Sequence, residues 1–341
     1  DYFNTDYNEN CWYNPDVFST PENISHNHGF EFQTHFVMTD DGYFLTIFRV
    51  QDKFSSFKKQ PILLHHGIIS SAVGFMTSGD RSLAFYLARN GYDMWLANHR
   101  GNTYSLGHSH LKTSDPKYWN FSFHEIGLYD LPATMEYITK KTGNFRKIIY
   151  VGHSMGCTVC FIYTSLKKDH AEKYLKGFIA LSPATAMKYF RSDFRPLLPI
   201  LNKLIEDVMV TLSYHPARTS LKCIAHFLQL MMVGKFQHYD YGWKENLNKY
   251  NSVVPPEYPL SDITIPVHMF YGLNDNLVSY QDVLWVFNEL TTPEKSIDVV
   301  PKNRKIKFNH VNFLLSKHIE FYLYKPLMKI IKALEIRNTS K

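Results

Sequence analysis

The stretch KIIYVGHSMGCTVCFIYTSL, residues 147–166, decides how this chain is read. It opens on an apolar run, Ile148 to Val151, passes through Gly152-His153-Ser154-Met155-Gly156, and closes on a segment compatible with a helix. In that context the serine is a candidate nucleophile in a sharp strand-to-helix turn that lifts its hydroxyl above the sheet. Side chains two positions before and two after would crowd such a turn, so Gly152 and Gly156 read as parts of it. Cys157 and Cys160 follow among Val159, Phe161 and Ile162. A redox C-x-x-C usually opens its helix, whereas here the serine turn holds that place, so the two thiols read as packing residues.

Working outward, further apolar runs have strand character: PILLHHG (61–67), YDMWLAN (92–98) and KGFIALS (176–182), with helix-like spacing between them. Continuous apolar strands alternating with helices define an α/β class with a mostly parallel sheet covered on both faces. Before them, FEFQTHFVMTDDGYFLTIFRV (30–50) carries two β-rich segments around Asp40-Asp41-Gly42, a hairpin signal. The alternation breaks at Ser182-Pro183 and resumes at IPVHMFYG (265–272), followed by a helix-like YQDVLWVFNEL, a short strand SIDVV and a helix from about Asn312. Within the excursion, Leu197, Leu198, Leu201, Leu204, Ile205 and Val208 recur at helical spacing, as do Leu221, Ile224, Phe227, Leu228 and Met231. The expected organisation is a sheet core of residues 1–183 and 262–341 with a helical cap, 184–261, inserted.

The composition, 45% hydrophobic and 16% aromatic, allows a large core and excludes a disordered chain. A net charge of +6 is spread thinly, which speaks against a nucleic-acid partner, and no apolar run approaches a transmembrane length. Beginning at DYFNTDYNENCWYNPD, the chain reads as a mature product of processing. Sequons at Asn23, Asn120 and Asn338 are candidate glycosylation sites on a secretory route. Four cysteines, Cys11, Cys157, Cys160 and Cys223, are too few and scattered for a disulfide framework. The 17 histidines would add charge in an acidic compartment, which fits an acidic workplace.

A serine hydroxyl needs a base to take its proton and an acid to orient that base, and in this architecture they follow in the order serine, acid, histidine. Asp275 stands just past the strand-like Met269 to Gly272, whereas Asp262 precedes that strand and Asp282 falls inside the next helix. His310, in KFNHVNFLL, lies in a polar loop before the last helix, with His318 expected inside that helix. The oxyanion of a tetrahedral intermediate needs backbone donors. Met155 supplies one amide, and Ile68, after His66-Gly67, supplies the other. Neither His65-His66 nor His108-Ser109-His110 has metal-ligand spacing, and no nucleotide fingerprint is present, so no metal and no cofactor are expected.

The blocks HHGIISSAVGF, ANHRGNTYSLGH, YDLPATMEYI, GHSMG, GKFQHYDYG, YGLNDNLVS and FNHVNFL together resemble the acid lipase family of gastric, lysosomal and insect lipases. The resemblance runs over nearly the whole chain. It implies an α/β-hydrolase fold with a cap, hydrolysis of neutral lipid esters at a lipid–water interface, glycosylation, and secretion or lysosomal delivery. It also places the nucleophile on Ser154, the acid on Asp275, the base on His310 and the oxyanion donors on Ile68 and Met155. Two features depart from the family pattern. Met155 stands where the gastric type has glutamine, a change that leaves a backbone donor intact. The stretch from Ala184 to LSYHPARTS is much shorter than in the gastric and lysosomal enzymes and lacks their cysteine pair, which implies a reduced cap. The alternatives are a short-chain or specialised carboxylesterase, an acyltransferase or thioesterase on the same triad, and a catalytically silent lipid-binding or storage protein.

Overall fold

A computed structural model describes residues 14–54, 59–143, 148–190 and 217–337. Its sheet has nine strands: β1 (Phe30–Met38), β2 (Tyr43–Asp52), β3 (Pro61–His65), β4 (Asp93–Ala97), β5 (Gly107–His108), β6 (Ile148–His153), β7 (Leu175–Leu181), β8 (Val267–Gly272) and β9 (Lys295–Val300). The order is β1-β2-β4-β3-β6-β7-β8-β9, with β5 beside β2. From β4 to β9 every pairing is parallel, while β1, β2 and β4 pair antiparallel. The expected hairpin is present, closing from Met38↔Phe44 to Phe30↔Asp52.

The central strands are apolar without interruption because both of their faces are covered. In β6, Ile148 and Tyr150 join one core while Ile149 and Val151 join the other; in β7, Phe178 and Ala180 part from Ile179 and Leu181 in the same way. Helices α1 (Pro21–Asn27), α2 (Leu83–Arg89) and the C-terminal helix supply Ile24, Leu87 and Leu327 to one core. Helices α3 (Leu131–Thr142), α4 (Met155–Leu166) and α5 (Lys168–Tyr174) supply Met135, Val159 and Ala171 to the other. Two layers of helix around a parallel sheet leave the carboxyl ends of β3, β6, β7 and β8 side by side, where open α/β sheets bind their ligands.

Between β7 and β8 lie α6 (Leu221–Val233) and α7 (Trp243–Tyr250). The helical spacing read from Leu197 to Val208 lies outside the described residues, as do Cys11 and Asn338. Helix α8 (Tyr280–Glu289) follows β8 as expected. The helix expected from Asn312 is divided: Asn312–Leu315 forms one turn, Ser316 is extended at ψ 131, and α9 occupies Lys325–Ile336. His318 therefore sits in an exposed turn between the two pieces, where its carbonyl accepts from the Phe321 and Tyr322 amides, and not inside a helix.

One buried ion cluster braces the sheet near the hairpin. The Arg100 guanidinium, 1% exposed, donates to Asp130 through Nε at 2.7 Å and to Asp41 through Nη2 at 2.8 Å, and lies 4.0 Å from the Tyr43 ring centroid. It joins the loop after β4 to the hairpin turn and to the start of α3.

Candidate active site

Ser154 occupies the turn between β6 and α4 with φ 54 and ψ −117, a conformation that L-residues rarely adopt. The two flanking glycines are required by contact. A Cβ on Gly152 would lie 2.8 Å from the Cys157 nitrogen, and one on Gly156 would lie 2.2 Å from the His65 carbonyl oxygen. Strand β3 thus packs directly on the turn. The loop beyond β3 passes just as closely, since a Cβ on Gly67 would lie 3.1 Å from Ser154 Cβ. Ile68, next in that loop, and Met155, the first residue of α4, both flank Ser154.

Asp275 follows β8 and is almost fully enclosed. Its Oδ1 accepts the Leu277 and Val278 amides, each at 2.9 Å, and its Oδ2 accepts His310 Nδ1 at 2.9 Å. Burial alone would raise this carboxyl, but His310 and the hydrogen bonds to Ser182 and Val278 hold it below the usual carboxylate range. Of the rival acids, Asp262 stays in the turn before β8. Asp282 is buried in α8, where it accepts from the Lys188 amide at 2.9 Å and from Ser279 Oγ at 2.7 Å. Its work is to tie the chain beyond β7 to α8.

The structure thus brings Asp275 and His310 together, and Ser154 comes to the same place through its neighbour. His153, one residue before Ser154, places its Nε2 3.2 Å from the His310 carbonyl oxygen, with the two rings 4.7 Å apart. Burial, reinforced by His310, pushes His153 down to about 3, so it is a neutral imidazole that donates to that carbonyl. Among the described residues the Ser154 hydroxyl makes no direct hydrogen bond to His310. In ligand-free enzymes such bonds are commonly long and tighten on binding.

Several supporting residues escaped the reading of the sequence. Ser182, just past β7, donates from Oγ to Asp275 Oδ2 and lies 3.0 Å from His310 Nδ1. Asn98 and Asn102 hold the loop after β3: Asn98 Oδ1 accepts the Ala72 amide at 2.9 Å, and Asn102 Nδ2 donates to the Ser70 carbonyl at 2.7 Å. Within that loop Ile69 has φ 51, a strained state for a β-branched residue. The ANHRGN block is the only sequence trace of this brace.

Above Ser154 lies a cavity of about 310 Å3, within the usual range for small-ligand sites. Ile224, Phe227, Leu228 and Met231 of α6 line it at helical spacing, together with Ile68 and Val278. Leu221, expected on the same stripe, is instead 81% exposed. Apart from the serine the lining is hydrocarbon and thioether, so the cavity accepts an apolar chain and offers a single nucleophilic oxygen.

Cys157, Cys160 and Cys223 are buried free thiols. Burial raises each of them well above the ordinary range, and Cys157 Sγ donates to the Gly152 carbonyl at 3.1 Å, so they pack and do not react. Asn23 and Asn120 are exposed, the latter with its Oδ1 accepting from Lys222 Nζ at 3.0 Å. Among the described residues no group of three His, Cys, Asp or Glu could hold a metal ion, and no helix is long and apolar enough to cross a membrane.

Residues 60–207 match a family model described as the alpha/beta hydrolase fold, and residues 21–79 match one described as a partial alpha/beta-hydrolase lipase region. Lipase 1 of Drosophila melanogaster is 33% identical over 89% of this chain and 77% of its own length. Gastric triacylglycerol lipase of Rattus norvegicus is 31% identical over 89% of each. Among solved structures, a soluble variant of monoglyceride lipase from Saccharomyces cerevisiae superposes with a TM-score of 0.58 over 95% of this chain and 99% of its own, at 17% identity, a likeness of fold.

Proposed function

Since the chain belongs to the lipase family of α/β hydrolases and is a carboxylic ester hydrolase, we propose that it cleaves neutral lipid esters such as acylglycerols or sterol esters through an acyl-enzyme on Ser154. The observation that carries this reading is the apolar cavity opening on Ser154, at the same strand ends as the Asp275–His310 pair. Ser154 Oγ attacks the ester carbonyl while His310 takes its proton. Asp275 holds the imidazole through Nδ1 and stabilises the cation that forms. The Ile68 and Met155 amides receive the oxyanion. His310 returns the proton to the departing alcohol, and water, activated by the same base, releases the fatty acid.

The acyl chain lies along α6, and residues 184–261 act as the cap that carries this helix. The enzyme works at a lipid–water interface on the secretory route, with glycans at Asn23 and Asn120. Rates across esters from acetate to palmitate, measured at pH 5 and pH 8, test the substrate class. Rising rates with chain length support the lipase, whereas a maximum at acetate makes the protein a short-chain esterase. A mobility shift on glycosidase treatment of the secreted protein tests the route.

A further inference from the structure

Ser182 ends β7 in an unusual way. Its amide makes the last rung to β8, donating to the Phe270 carbonyl at 2.8 Å, and its backbone then turns to φ 50 immediately before Pro183. A residue preceding proline is normally extended, so a serine held in the left-handed region there is doubly disfavoured. The turn places a fully buried hydroxyl against the acid–base pair: Oγ donates to Asp275 Oδ2 and stands 3.0 Å from His310 Nδ1. With the Leu277 and Val278 amides on Oδ1 and with Ser182 and His310 on Oδ2, the carboxylate has four hydrogen-bond partners. Strain kept at such a point needs a return elsewhere.

We infer that Ser182 is a positioning residue that sets the working pH of the Asp275–His310 pair by drawing charge from the carboxylate oxygen that faces the imidazole. The inference rests on the assignment of Asp275 and His310 as acid and base. A donor on Oδ2 makes that oxygen a weaker acceptor for the His310 Nδ1–H, so the carboxylate grips the imidazole less firmly than it would without the Ser182 hydroxyl. Among the described residues the titratable groups facing His310 are Asp275 through Nδ1 and His153, whose ring lies against its own. His153 is neutral and contributes no charge in the working range.

The test is the rate of phosphonylation of Ser154 by a fluorophosphonate, followed as a function of pH in the wild type, Ser182→Ala and Ser182→Gly. This single covalent step needs the base and no lipid. Both variants lack the hydroxyl, but only glycine relaxes the backbone. The expected result is that the acid limb moves to higher pH by about half to one unit in both, the scale of one ordinary net hydrogen bond. An unmoved limb, a move to lower pH, or a move in alanine alone overturns the inference, the last by assigning the effect to backbone strain. If the alanine variant does not fold, the glycine variant decides. Absence of label on wild-type Ser154 is a different result and rejects the proposed function itself.

Discussion

Acid should destabilise this protein steeply. His99, His153 and His226 are 1%, 5% and 0% exposed, and burial lowers them to about 4, 3 and 3 from an ordinary 6.5. Their folded values lie below their unfolded ones, so below about pH 6.5 the unfolded chain binds protons that the folded chain refuses, and stability falls as pH falls. The loss continues until the folded groups titrate near pH 3 to 4. From pH 7 to pH 5 each imidazole costs about 2 kcal/mol by linkage. Together they cost on the order of 5 kcal/mol, a large share of the roughly 5–15 kcal/mol that holds a domain folded. His28 works the other way: its hydrogen bond to Asp16 raises it, so it returns part of the loss. Urea unfolding at pH 7 and pH 5 measures the difference. His226 stacks on Phe123 at 4.1 Å and bonds the Gln237 carbonyl at 2.9 Å, so His226→Gln, which keeps a donor, should flatten the pH dependence by about 2 kcal/mol. Equal or greater stability at pH 5 refutes the reasoning, and it also bears on location, since a strongly acid-labile enzyme suits a secreted setting better than a lysosomal one.

Three further outcomes follow. Asp275→Asn should lower turnover by roughly 10⁴ while leaving the fold intact, because the imidazole loses its orienting charge; steady-state kinetics with circular dichroism checks this. Arg100→Ala should destabilise by about 3–5 kcal/mol in urea titration, since it strands Asp130 and Asp41 without their cation. Leu228→Trp should fill the cavity wall and reduce palmitate relative to acetate hydrolysis by roughly tenfold.

The parts of this fold legible in the sequence are those written locally. The apolar strand, the two glycines and the helix around Ser154 lie within one stretch, and Asp275 declares itself by its place after Gly272. The braces are written across distance. Ser182 reads as an ordinary turn residue before proline until β7 and β8 align and bring Asp275, 93 positions away, to its hydroxyl. Arg100 meets Asp41 and Asp130 across 59 and 30 positions. The histidines show the same limit with the opposite sign. Counted along the chain they promise positive charge in acid, but burial of His99, His153 and His226 turns them into groups that resist it. Leu221 kept its helical place but not its face, because the stripe on α6 is narrower than its spacing implied.

The central claim is that Ser154 is the nucleophile of an ester hydrolase. Intact-protein and peptide mass spectrometry after fluorophosphonate treatment tests it most directly. One adduct on the Ser154 peptide, lost in Ser154→Ala together with roughly 10⁴-fold or more of esterase turnover, is the predicted result. Retained turnover in that variant, or label on another residue, contradicts it.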